Sequence, residues 1–169
     1  MTIYLCGFMG CGKSTVGKLL AKKLGMSFTD LDSYIETKEN MSIPEIFASK
    51  GEPYFRKAET KAVEELAYRN NAVIACGGGT ILNDKSAKTA SECGTVIFLD
   101  VPFESCYSRI KGDTNRPLVM NNSKDELNEI FCKRHEIYLR NSDFCVNAEN
   151  QPAQICLDIA ELVKNIKRR

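Results

Sequence analysis

The sequence predicts an α/β domain, with one parallel sheet of five strands and helices on both of its faces. Two observations predict it. Short apolar, β-rich runs alternate with longer segments of helical period. The chain, at 169 residues, suits one compact domain with a real core, residues 1–169, rather than two.

TIYLC, at 2–6, is the first strand. It carries no basic leader and runs straight into a glycine loop, so it reads as structure rather than a signal peptide. Residues 13–24 form a helix that sets Val16, Leu19, Leu20 and Leu24 at helical spacing. FTDLD, at 28–32, is a weaker second strand. MSIPEIFASK offers Ser42 as N-cap, Pro44 in the first turn and Glu45 three residues after the cap. Gly51 interrupts that helix, and EPYFRKAETKAVEELAYR resumes the pattern. AVIAC, TVIFLD and DFCV are the remaining strands, bounded by polar or turn residues as strands buried on both faces are. The helices between and after them are DKSAKTASE, FESCYSRI, KDELNEIFCKRHEIYLR and QPAQICLDIAELVKNI. Residues 111–123, KGDTNRPLVMNNS, are the one long stretch without periodicity and read as a functional lid loop or a disordered one.

Composition removes several function classes. A formal net charge of +1 gives no electrostatic basis for binding nucleic acid or an anionic membrane. No apolar run is long enough to span a bilayer. None of the eight cysteines forms a C-x-x-C pair, and a single His accompanies them, which argues against zinc. They read as reduced, mostly buried thiols of a cytoplasmic protein.

Gly7-Phe8-Met9-Gly10-Cys11-Gly12-Lys13-Ser14 fits G-x-x-x-x-G-K-[ST], the P-loop pattern. Bare glycines let the main chain curl with its N–H groups inward, and the following helix adds free N–H groups and its positive dipole end. Lys13 supplies a compact charge for the β- and γ-phosphates, and the Ser14 hydroxyl is a hard ligand for Mg²⁺. The pattern recurs by chance in about one chain in a hundred of this size, and here a strand precedes it and an amphipathic helix follows. A dinucleotide fingerprint is excluded, because Thr15 stands where a third Gly or Ala is required. The ligand is therefore a nucleoside triphosphate, held by Gly10, Cys11, Gly12, Lys13, Ser14 and Thr15. Cys11 also sits beside Lys13 just before a helix, two features that activate a thiol. ATP is expected to protect it from alkylation if it is not simply an inert small residue.

Other residues bear on the acceptor. Asp30 and Asp32 close the second strand at i and i+2 and so are expected to point the same way. One suits Mg²⁺ through water and one a substrate hydroxyl, and Asp32 also suits an N-cap for SYIETKE. At a strand end, with a reference pKa of ~3.9, Asp32 is expected to be ionised at neutral pH. Arg56 matches a carboxylate or phosphate bidentately, or pairs with Glu52 or Glu59 on its own helix. Gly77-Gly78-Gly79, after the third strand, let a ligand approach the main chain. Arg116 is placed to close over transferring phosphates if its loop is a lid. Arg134 is a second anion ligand or a solvated charge, and His135 receives no role.

Taken together, GFMGCGKST (7–15), DLD (30–32), FR (55–56), GGG (77–79), RPL (116–118) and R-x-x-x-Y (Arg134 to Tyr138) resemble the shikimate kinase family. The resemblance implies an adenylate-kinase-like P-loop fold, ATP with Mg²⁺, and phosphorylation of the 3-hydroxyl of shikimate by a monomer. Under it, Asp32 is the hydroxyl ligand and base, and Asp30 lies near the metal with Ser14. Arg56 and Arg134 form a carboxylate clamp, and Gly77, Gly78 and Gly79 form the substrate loop. Arg116 is the lid arginine, and Arg109, in SRIKGD, stacks on adenine. After Arg134 the residues are His135, Glu136, Ile137 and Tyr138, where the family often has Pro before Leu-Tyr. The rivals are another P-loop kinase, acting on gluconate or a nucleoside monophosphate, and a nucleotide switch, against which no N-K-x-D motif is found.

Overall fold

The computed structural model describes residues 1–166. Five parallel strands, β1 (Thr2–Cys6), β2 (Ser27–Asp30), β3 (Ala72–Ala75), β4 (Thr95–Asp100) and β5 (Phe144–Asn147), form one sheet in the order β2-β3-β1-β4-β5. Register is continuous across its centre: Tyr4 pairs with Ile74 on one side and Val96 on the other. Every residue of β1 and β3 is buried, which is why they read as unbroken apolar runs. The edge strands β2 and β5 are only partly buried.

Helices α1 (Lys13–Leu24) and α9 (Pro152–Ile166) pack together against one face. Helices α2 (Leu31–Glu39), α3 (Ile43–Lys50), α4 (Glu52–Ala67) and α5 (Asp84–Cys93) form a connected layer on the other. Helices α6 (Phe103–Ile110), α7 (Pro117–Asn121) and α8 (Lys124–Arg140) follow β4. The chain leaves β1 toward β2 on one side and later crosses to β4 on the other. The loop after β1 therefore lies at the switch point where a ligand crevice opens in such sheets.

Local chemistry sets most boundaries. Ser42 and Glu45 form the expected capping box at α3, with Pro44 in its first turn. Ser123 and Glu126 form a second one that starts α8. Gly25 and Asn40 close α1 and α2 in the left-handed conformation.

Three expectations are corrected. The second strand stops at Asp30, whose carboxylate accepts from Ser33 N (3.3 Å) and caps α2, so Asp32 lies in the first helical turn and is not the cap. The two aspartates are thus not i and i+2 of one strand. The stretch 111–123 is not wholly irregular, since α7 occupies five of its residues with Pro117 at the start. A helix that short has no period to detect. Leu19 is 41% exposed, and the buried face of α1 is Val16, Gly17, Leu20 and Ala21. The cysteine expectation holds: five of the eight are buried, and Cys93, Cys132 and Cys145 are exposed.

Candidate active site

The glycine loop packs directly on α6. Gly10 has φ +81, and a Cβ there would stand 2.7 Å from Cys106 O, so only glycine fits. Arg109, in the last turn of α6, donates from Nη1 to Gly10 O (2.9 Å), which sets it at the outer edge of the loop. Lys13 Nζ curls back over the loop and donates to Gly7 O and Phe8 O (2.9 Å each). Among the described residues its partners are carbonyls and the Cys11 thiol (3.4 Å) rather than a carboxylate, so its charge is free to meet an anion. Ser14 and Thr15 are exposed at the mouth of α1. Ser14 Oγ donates to Asp30 Oδ2 at 2.5 Å. Two hard oxygens meeting beside a phosphate cradle fit a divalent cation such as Mg²⁺.

Cys11 differs from expectation. Its side chain is turned under the loop and only 2% exposed, and its amide donates to Phe8 O (3.2 Å). Burial limits the access of reagents to this thiol.

Across from the loop is a cleft of about 230 Å³. Its lining mixes apolar side chains (Met9, Ile43, Phe47, Phe55, Pro117 and Leu118) with Arg56, Arg116 and Arg134, the acids Asp32, Glu36, Glu59 and Asp113, Asn115, and the main chain of Gly78 and Gly79. Apolar surface beside three arginines suits a small hydrophilic acid with a hydrocarbon face. The structure thus brings Asp32, Arg56, the glycine loop, Arg116 and Arg134 together from α2, α4, the β3 exit, the lid and α8.

Arg56 is anchored by two glutamates of its own helix. Nη1 donates to Glu59 Oε2 (2.6 Å), and Nε and Nη2 donate to Glu52 Oε1 (3.1 and 2.9 Å). Of the two alternatives in the sequence, the pairing with Glu52 and Glu59 is present, and Arg56 also lines the cleft. The Arg56 guanidinium lies against Gly79, where a Cβ would stand 2.1 Å from Nη1. Glu59 is 2% exposed and also accepts from Thr80 Oγ1 (2.9 Å). Its carboxylate and that of Asp32 converge on Gly77: a Cβ there would lie 2.5 Å from Asp32 Oδ1 and 2.8 Å from Glu59 Oε1.

That crowding changes the Asp32 carboxyl. Burial first, then the neighbouring Glu59 and Asp30, push it up to about 6, while Lys13 and Arg116 pull it down. Asp32 thus keeps its charge at neutral pH, but less securely than an ordinary strand-end aspartate. In the lid, Arg116 Nε donates to Asp113 Oδ2 (2.9 Å). On the far wall, Tyr138 Oη donates to Gly78 O, tying α8 to the glycine loop.

Sequence reasoning missed Glu59 as a site residue. A signal existed: it is the one charged side chain on the buried stripe Phe55, Ala62, Val63 and Leu66 of α4. It also passed over His135, whose Nε2 lies 3.0 Å from Asp100 Oδ1.

Comparison with known proteins agrees with this geometry. Residues 9–164 match the family model for shikimate kinase. A shikimate kinase of Persephonella marina is 46% identical over 158 residues, 93% of this chain and 95% of that one. One from Aquifex aeolicus is 40% identical over 159 residues, 94% of each chain. The structure of a shikimate kinase from Acinetobacter baumannii in complex with shikimate superposes with a TM-score of 0.95 at 34% identity, covering 99% of this chain and 95% of that one.

Proposed function

The chain belongs to the shikimate kinase family, and from that premise we propose how its cleft phosphorylates the 3-hydroxyl of shikimate with ATP. Main-chain amides of Gly10 to Thr15 and the Lys13 ammonium hold the polyphosphate. Arg109 flanks the adenine. Ser14, with Asp30 and Asp32 acting through water, holds Mg²⁺. When bound, the metal supplies charge neutralisation across the β- and γ-phosphates.

Asp32 orients the acceptor hydroxyl and takes its proton as the O–P bond forms and the bond from the γ-phosphorus to the bridging oxygen breaks, that oxygen leaving with ADP. Arg56 and Arg134 grip the acid's carboxylate from two sides, which fixes the ring so that only one hydroxyl faces the donor. Gly77 to Gly79 let the ring lie against the main chain. Arg116 closes with the lid at 111–123, excludes water and offsets charge on the transferring group. The single observation that carries these roles is the convergence of Asp32, Arg56 and Arg134 on one cleft beside the P-loop. The enzyme is further proposed to be a monomer of a single domain. Among the described residues no helix is long and apolar enough to cross a membrane. The reading of its cysteines as free thiols supports a cytoplasmic location.

The test is ADP release with shikimate, gluconate or AMP as acceptor. Turnover with shikimate alone is expected. Faster turnover with gluconate or AMP would remove the acceptor assignment while leaving the ATP site intact.

A further inference from the structure

Helix α8 fully buries only Leu127 and Tyr138, with Ile130 and Phe131 packed partly buried against the core. It carries Arg134 into the cleft. Apolar packing is tolerant of small rotations, so directional side-chain bonds are what fix the helix's setting. On one side, Tyr138 binds Gly78 O, and Asn141 Nδ2 donates to Ile81 O (2.9 Å), both in the segment that follows β3. On the other side stands His135, next to Arg134 in the chain. Its Nε2 lies 3.0 Å from Asp100 Oδ1, at the carboxyl end of β4. A carboxylate only accepts, so Nε2 donates. The ring is held edge-on by Phe98 (centroids 5.3 Å apart) and lies beside Phe131 (5.8 Å), which packs in turn on Phe8 of the P-loop (5.2 Å).

In the sheet, β3 and β4 flank β1, the strand that leads into the P-loop. Helix α8 is thus bonded at or beyond the carboxyl ends of both neighbours of β1, and the His135–Asp100 bond is the polar tether on the β4 side, one residue from Arg134. Without it, α8 keeps its ring contacts to β4 and the P-loop, Tyr138 on Phe98 and Phe131 on Phe8, but loses the directional bond nearest Arg134.

We propose that His135 is a positioning residue for the acid substrate: its bond to Asp100 sets where Arg134 meets the carboxylate relative to the P-loop. The inference rests on the clamp role given to Arg134 above. It predicts a local effect. His135 and Asp100 are both partly exposed, with side chains 30% and 38% accessible, and such pairs add little to global stability. What the bond supplies is direction, and misaligned charge-assisted contacts lose substrate affinity steeply.

The experiment is steady-state kinetics of the full chain with His135→Leu, Asp100→Ala, the double variant, His135→Gln and Arg134→Ala, each with a thermal melt. His135→Leu and Asp100→Ala are expected to raise the KM for shikimate about three- to tenfold. The double variant should be no worse than the more affected single one. The KM for ATP and the melting temperature should stay close to the parent's. His135→Gln, whose Nε2 reaches a similar point, should recover most of the affinity. An unchanged shikimate KM in His135→Leu, additive effects in the double variant, or a parallel rise in the KM for ATP would each overturn the proposal. Arg134→Ala separates the two readings. If it raises the shikimate KM while His135→Leu does not, only the positioning role fails; if Arg134→Ala leaves that KM unchanged, the clamp fails and takes the positioning role with it.

Discussion

Asp32 and Glu59 aim their carboxylates at the same point beside Gly77, one from the first turn of α2 and one from the buried face of α4. Two acids this close, one of them the proposed base, tie the expected pH range of the enzyme to a residue that need not touch the substrate at all. With Asp32 raised to about 6, turnover should fall as pH drops through about 6, because the base must be charged. Glu59→Gln removes one of the causes of the shift while keeping hydrogen-bonding capacity toward Thr80. The acid limb of its pH–rate profile should move to lower pH. An acid limb that stays in place would show that burial alone sets it.

The same shift has a cost in stability, and its sign is the reverse of the usual aspartate case. The folded value lies above the unfolded reference of ~3.9, so the folded state binds the proton more tightly. The charged form therefore destabilises the fold, fully so above about pH 6 and progressively less as pH falls toward 4. Asp32→Asn should raise stability by about 1–3 kcal/mol at pH 7–8, seen as a higher melting temperature, and abolish turnover. At pH 4 the gain should vanish.

Arg56→Ala should raise the KM for shikimate at least tenfold with little change in the KM for ATP, since the guanidinium lies on the acceptor side of the cleft. It should also lower stability, because it leaves Glu59 buried without its cation. Gly79→Ala should copy the kinetic defect without removing the arginine: the added methyl group falls 2.1 Å from Nη1 and pushes the guanidinium away.

Tyr4 provides a control far from the chemistry. Its hydroxyl is the one fully buried side-chain polar atom without a hydrogen-bond partner among the described residues. Tyr4→Phe should keep full activity and leave stability equal or raised by about 1 kcal/mol, as judged by denaturant unfolding.

The strands and most helices were legible because β3 is apolar throughout and β4 is apolar between Thr95 and Asp100, and because α3 and α8 open on capping boxes. The P-loop residues were legible because a phosphate cradle demands glycines at set spacings. The Asp30–Asp32 geometry was not. A capping bond from Ser33 decided whether the second aspartate lay on a strand or a helix, and alternation alone cannot see that bond. Glu59 and His135 escaped because their meaning is relational. Each matters through residues distant in the chain, Asp32 and Thr80 for Glu59 and Asp100 for His135, that are brought alongside only by the fold.

The central place of β1 in the sheet has a practical corollary for ligand design. The phosphate cradle is rooted in a strand with neighbours on both sides, whereas the two arginines proposed to grip the acid ride on helices outside the sheet, α4 and α8. An inhibitor joining both halves should be stiff where it mimics the nucleotide tail and hinged where it mimics the ring, so that it keeps its grip as the outer shell breathes.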